Sequence, residues 1–234
     1  MSCEPFVRAK GLGKKYPLYK SAAQRVGDLM FDWGSAGEHW AVRDIDLDLR
    51  PGTCLGIVGQ NGAGKSTLLE LISGILHPSE GVIETSGRIA ALLQLGAGFS
   101  PDFTGRENVL LGASLFGLSD SEIRQRFASI EALAGIGSYI DRPVREYSSG
   151  MFARLAFSVC AHVDADILVV DEILGIGDVA FQQKSMRFLR RFRRAGIVLF
   201  VSHDEHAVAA LCDSAVWIDD GRIVARGDTK DVLY

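Results

Sequence analysis

Few cysteines, no long apolar run and no excess of positive charge restrict this chain before any motif is read. Its four cysteines, Cys3, Cys54, Cys160 and Cys212, are scattered through 234 residues. None is spaced as a zinc-binding pair, and no disulfide framework is indicated. A reducing, cytosolic setting is the simplest reading. The N-terminal MSCEPFVRAKGLGKKY lacks the apolar stretch of a secretory signal. No window holds the roughly 18 uncharged apolar residues that a bilayer-spanning helix needs. The chain is therefore expected to be soluble, with any membrane part supplied by another polypeptide. A formal net charge of −4 argues against a chain-wide attraction to nucleic acid. Internal repeats and low-complexity tails are missing too.

What is present is apolar material in alternating α/β order. Hydrophobic residues make up 47% of the chain, enough for one sizeable core and a smaller subdomain. TCLGIVG (53–59), ILVV (167–170) and IVLFV (197–201) are short, continuous and rich in β-branched residues, as buried strands are. STLLELISGIL (66–76) has helical spacing, with Leu68, Leu71, Ile72 and Ile75 on one face. VWIDDGRIV (216–224) reads as a hairpin turning on Asp220-Gly221. Residues 100–160 differ, because ENVLLGASLFGL and SEIRQRFASIEALAGI are helical patterns. This stretch is expected to form a helical subdomain inserted in the α/β core. In 17–39, Ala22, Val26, Leu29, Met30 and Trp33 fall on one helical face, and Gly34 is a plausible stop. That face either docks on a partner or packs on the chain's own core. KSMRFLRRFRR (184–194) sets a basic face against Phe188, Leu189 and Phe192. A surface helix with solvated charges is the plainer reading, contact with anionic lipid or nucleic acid the other.

Phosphate chemistry is the clearest signal. GQNGAGKST (59–67) fits G-x-x-x-x-G-K-[ST] through Gly59, Gly64, Lys65 and Ser66. Its glycines let backbone N–H groups turn inward around phosphate oxygens, and the helix from Ser66 onward adds its positive end. Lys65 brings a point charge to the β- and γ-phosphates, and the Ser66 hydroxyl suits Mg²⁺. ILVVDE (167–172) ends an apolar strand in two carboxylates at a sheet edge, where ligands sit. Asp171 suits the Mg²⁺ shell, and Glu172 suits orienting an attacking water. An Asp-Glu strand end is also a common cap; beside a phosphate loop the chemical role takes precedence. His203 follows the strand IVLFVS and could meet the same γ-phosphate, although a lone histidine is more often structural. YSSGM (147–151) precedes the helical run MFARLAFSVCAHV, which begins at Met151, and has the form of a second anion site.

With these residues in view, the chain resembles an ABC-type ATPase subunit from about residue 5 to 234, with the motifs in the family's order. The resemblance implies an α/β fold: a P-loop NTPase (RecA-like) core with an antiparallel β subdomain over 1–99 and 161–234, and the inserted helical subdomain at 100–160. GQNGAGKST is then the Walker A loop, ILVVDE the Walker B strand, and YSSGM the signature usually spelled LSGGQ. Tyr16 resembles the aromatic that stacks on adenine. Gln94 in LLQLG resembles the glutamine that touches Mg²⁺ and senses a membrane partner. Asp178 in GIGD fits the D-loop, and His203 the switch histidine. The implied nucleotide ligands are Tyr16, Gly59, Asn61, Gly62, Ala63, Gly64, Lys65, Ser66, Thr67, Gln94, Ser148, Ser149, Gly150 and Asp178. Mg²⁺ would take Ser66, Gln94 and Asp171, while Lys65, Glu172 and His203 serve hydrolysis. The family fold puts phosphate loop and signature on opposite sides of a subunit, which implies a head-to-tail homodimer with ATP between the copies.

Finer features resemble one branch. LGAGFSPDFTGRENV (95–109), the SSGM spelling and VVDEILGIGDVAFQQK (169–184) look like the ATPases that export surface polysaccharides. YPLYK (16–20), ahead of the helical pattern, looks more like the O-antigen and teichoic acid branch than the capsule exporters, which remain the related alternative. Met151 and Ser149 stand where most of the family has glutamine and glycine, and the polysaccharide branch shares this form. The implied partners are an integral-membrane permease and a lipid-linked polysaccharide, with this chain at the cytoplasmic face of the cytoplasmic (inner) membrane; no nucleic acid is implied. Soluble relatives of translation or DNA repair usually carry two cassettes or a long coiled-coil insertion, and neither is seen here. Glu172 and His203 argue against a regulatory module without turnover. Several O-antigen ATPases continue into a carbohydrate-binding domain. The end at Tyr234 fits either a shortened chain or an exporter that does not use one.

Overall fold

The computed structural model describes residues 4–19, 21, 24, 26, 37–92, 98–171 and 178–233. The first elements are β1 (Phe6–Leu18), β2 (Gly37–Leu49), β3 (Cys54–Val58), α1 (Lys65–Ile72), β4 (Glu80–Ser86) and β5 (Ile89–Leu92). Next come α2 (Gly105–Leu115), α3 (Asp120–Ala134), two 3-10 turns and α4 (Ser149–Cys160). The chain then runs through β6 (Ile167–Asp171), α5 (Val179–Phe192), β7 (Ile197–Val201), α6 (Glu205–Leu211), β8 (Ser214–Asp219), β9 (Arg222–Asp228) and α7 (Thr229–Leu233).

Alternation along the strands sets the layers. β2-β1-β4 form an antiparallel three-stranded sheet, and β5-β6-β7-β3-β8-β9 a six-stranded one that is parallel except for the β8–β9 pair. Leu55, Ile57, Ile167, Val169, Ile197 and Leu199 of the large sheet face Val7, Leu12, Val42 and Ile45 of the small one. α1 fills the space between, burying Leu68, Leu69, Leu71 and Ile72 in the same cluster. The intervening positions Leu168, Val170, Val198 and Phe200 point the other way, into a second cluster with Phe157, Phe181, Leu189 and Val208. Successive side chains of a strand face opposite sides, so runs buried on both faces read as continuous apolar sequence.

Three helices make a third cluster from Val109, Ala113, Ile123, Ile130, Leu155 and Val159. Both α2 and α3 start with capping boxes, Thr104 with Glu107 and Ser119 with Glu122. Asn108 is fully buried, and its Nδ2 donates to the carbonyls of Ser100, Phe103 and Thr104. Its Oδ1 accepts from Ser100 N at 2.7 Å, which stitches the preceding loop to α2.

Several boundaries differ from the sequence expectation. α1 starts at Lys65 and ends at Ile72, leaving Ile75 exposed beyond a left-handed Gly74 rather than on the buried face. α4 begins at Ser149, before Met151, because the Ser148 hydroxyl caps it. The ends of 17–39 belong to a long β1–β2 ribbon, with Pro17 opposite Glu38 and Leu18 opposite Gly37. Of the expected apolar face, Val26 is exposed; Ala22, Leu29, Met30, Trp33 and the stop at Gly34 lie outside the described residues. The hairpin turn is as expected, with Asp220 and Gly221 both left-handed. On α5 the basic helix buries Leu189, and Arg193 is tied to Asp213 and the Leu211 carbonyl. Cys54 and Cys212 are 158 positions apart, yet their free thiols meet at 3.3 Å. The hydrogen bond with Cys54, then burial, pushes the Cys212 thiol up. Among the described residues, no helix is long and apolar enough to cross a membrane.

Candidate functional site

Sheet order brings three strand ends side by side. β6, β7 and β3 are parallel neighbours, so Asp171, the Ser202-His203 step and the Gly59 loop leave the sheet along one edge. Ligands of open α/β sheets sit at that edge.

The Gly59–Ser66 loop is shaped by close approach. A Cβ on Gly59 would lie 2.1 Å from the Ile218 carbonyl oxygen, and one on Gly64 equally close to that of Ala41. Gly64, at φ +104°, is the cap residue of α1 and gives its first turn no side-chain acceptor. Those N–H groups are available to an anion. Lys65 is 7% exposed, and its Nζ donates to the Gly59 and Gln60 carbonyls at 2.8 and 2.9 Å. The β8–β9 turn braces the loop from behind, with Gly221 N donating to Ala63 O at 3.0 Å.

In front of the loop is a cleft of about 480 Å³, lined by Tyr16, His39, Ala41, Asn61, Gly62, Gly64, Lys65, Ser66, Thr67 and Asp171. The expected aromatic, phosphate loop and first carboxylate therefore share one cavity. Tyr16 is paired with His39 across the β1–β2 ribbon. Sequence reasoning missed His39, because only the strand register brings it to the cleft. Ser66 and Asp171 offer a hydroxyl and a carboxylate to the same space. That hard-oxygen pair fits Mg²⁺, which takes few protein ligands and completes its shell with phosphate and water. Gln94 and Glu172 lie outside the described residues.

The other expected site residues are elsewhere. His203 lines a smaller cavity of about 230 Å³ with Gly59, Gln60, Glu205 and Trp217. It reaches the loop without entering the Lys65 cleft. Ser148 caps α4, its Oγ accepting from Met151 N at 3.2 Å. Ser148 and Ser149 are exposed, Gly150 is half-buried, and none of the three lines the Lys65 cleft. Asp178 caps α5, its Oδ1 accepting from Phe181 N at 2.8 Å, and its Oδ2 takes a hydrogen bond from Arg154. Arg154 was not foreseen, because nothing in its spacing announces a partner 24 positions away.

The pattern that defines the ABC transporter family matches residues 42–175. An ABC transporter protein of Aeromonas salmonicida is 43% identical over 99% of this chain and 75% of its own length. An O-antigen export system ATP-binding protein of Klebsiella pneumoniae is 40% identical, over 98% of this chain and 96% of its own. A teichoic acids export ATP-binding protein of Listeria innocua is 35% identical, over 95% of this chain and 67% of its own. Among solved structures, a dimeric ATP-binding cassette in a post-hydrolysis state with ADP and Pi superposes with a TM-score of 0.78 at 20% identity. It covers 95% of this chain and 98% of that one, so the folds are the same. Phosphate loop, strand-end carboxylate and capped second helix start thus occur together on an ATP-binding cassette fold, and the chain belongs to the ABC transporter family.

Proposed function

We propose that this chain is the ATP-binding and hydrolysing subunit of a transporter that exports a lipid-linked surface polysaccharide of the O-antigen or teichoic acid type. Two copies work head to tail across ATP, at the cytoplasmic face of the cytoplasmic membrane, beneath an integral-membrane permease. One observation carries the dimer: the exposed helix start at Ser148–Gly150 does not line the chain's own phosphate cleft. A second subunit supplies that helix start to the nucleotide. The cargo is supported by similarity, over nearly all of this chain, to ATP-binding proteins named for O-antigen and teichoic acids export.

The chemistry follows from the cleft. Adenine stacks on Tyr16 beside His39, and the phosphates enter the loop, where N–H groups and the start of α1 receive their charge. Lys65 exchanges its two carbonyl partners for phosphate oxygens. Ser66, Asp171 and Gln94 would hold Mg²⁺, which would supply positive charge against the phosphate oxygens. Glu172 orients the attacking water, and His203 approaches from the Gly59 side. Ser148 and the N–H groups near Gly150 of the second copy close the γ-phosphate shell. ATP is then a bridging ligand, and its hydrolysis removes the group that holds the copies together.

Replacing the chain in its source organism by Lys65→Ala tests this reading. Surface polysaccharide should disappear and lipid-linked glycan should accumulate inside the cell. Unchanged surface polysaccharide would contradict the export role.

A further inference from the structure

The basic helix α5 does not treat its arginines alike. Arg193 is tied to Asp213, and Arg190 reaches the Ala210 carbonyl. Arg187 and Arg191 stand one turn apart and exposed, and neither has a hydrogen bond or ion pair among the described residues. Like charges four positions apart on a helix repel, so this arrangement works slightly against α5 itself.

Both arginines rim a cavity of about 730 Å³, larger than the Lys65 cleft. Asp166 and Gly196, which also line it, directly precede β6 and β7, whereas the phosphate loop follows β3. These strands are parallel, so the cavity lies at the opposite edge of the large sheet from the nucleotide cleft. Its walls are mostly apolar: half-buried Leu133 from the end of α3, and half-buried Phe188 and Phe192 from α5. The two rings are 6.0 Å apart, and Phe157 holds Phe188 edge-on at 5.8 Å. Gly196 makes room for Phe192, since a Cβ there would lie 2.5 Å from its Cε1. The one lining carboxylate is engaged, with Asp166 Oδ2 accepting from Arg88 N at 2.8 Å. His162 is held through Nδ1, which donates to the Ser158 carbonyl at 2.7 Å.

Concave, mostly apolar walls with a few polar groups, at roughly 300–1,000 Å³, describe a small-molecule site. Two unpaired guanidiniums at its rim match a carboxylate or phosphate. We propose that this cavity binds a small amphipathic anion. Its apolar body lies against Leu133 and the two phenylalanines, and its acidic head meets Arg187 and Arg191. The site is separate from the nucleotide cleft, and the inference does not depend on the ATPase reading.

Calorimetric titration of the full chain with decyl phosphate, decanoate and decanol, each below its micelle concentration, tests it. The two anions should bind saturably at one site per chain, and decanol about tenfold more weakly. Arg187→Gln combined with Arg191→Gln should weaken the anions about tenfold and leave decanol as it was. Melting temperature should hold or rise slightly, because a like-charge pair is removed, and kcat for ATP should not change. Arg187→Lys with Arg191→Lys should recover part of the affinity. Non-saturable uptake, equal affinity for decanol and the anions, or anion binding that survives loss of both arginines would overturn the site. Binding to anionic phospholipid vesicles without binding of the free anions would assign the arginines to a membrane surface, and would overturn it as well.

Discussion

Gly64 meets a strict demand at the scale of a single residue. It holds φ +104° while the Ala41 carbonyl oxygen lies where a Cβ would stand, at 2.1 Å. Gly64→Ala therefore has to move backbone, not a flexible side chain. It is expected to cost about 2 kcal/mol in denaturant unfolding, from strain at a position only glycine adopts freely. It should also abolish nucleotide binding, measured by titration of a fluorescent ATP analogue. A variant with wild-type stability and affinity would show that the loop has another conformation to use. The glycine pattern was legible in sequence because its spacing is the chemistry. Asn108, His39 and Arg154 were not, for a common reason. Each acts through a partner that the chain meets only once folded: the Ser100–Thr104 carbonyls, the strand bearing Tyr16, and the cap of α5.

At the scale of elements, short polar signals decide where helices begin. The Ser119–Glu122 and Thr104–Glu107 boxes satisfy donors that the helices leave open. Hydrogen bonds from the Ser119 side chain, then its backbone, hold the Glu122 carboxyl below its usual range, and the Thr104 backbone, then its side chain, lower that of Glu107. A folded pKa below the unfolded one stabilises above the unfolded glutamate range, about 4.3, and that contribution is lost as pH falls through the folded pKa. Glu122→Gln should therefore unfold more readily than wild type near neutrality. Its deficit should shrink as pH is lowered from about 6 to about 3, because wild type then loses the same charge. Urea midpoints of both proteins across that range check this; a constant gap would contradict it. Apolar periodicity located α1 and α4 but misjudged their ends. The Ser148 hydroxyl starts α4 before its apolar face does, and a left-handed Gly74 follows soon after α1 ends at Ile72. The β1–β2 ribbon was missed because 17–39 was read by helical spacing, while Pro17 and Leu18 pair across it.

Across the whole molecule, the order of motifs along the chain was legible, and the faces they occupy were not. Strand order β6-β7-β3 gathers Asp171, His203 and the Gly59 loop on one edge, although the three are far apart in sequence. Tyr16, from the other sheet, lines the loop's cleft with Asp171. Ser148–Gly150 stay outside it, and on the proposed reading each nucleotide site is half-built within one chain. The most direct test of that claim is the size of Glu172→Gln by light scattering, with and without Mg-ATP. The account predicts a monomer that becomes a dimer when Mg-ATP is added and returns to monomer when the nucleotide is removed. A Glu172→Gln chain that stays monomeric in Mg-ATP, and still hydrolyses it, would contradict the account.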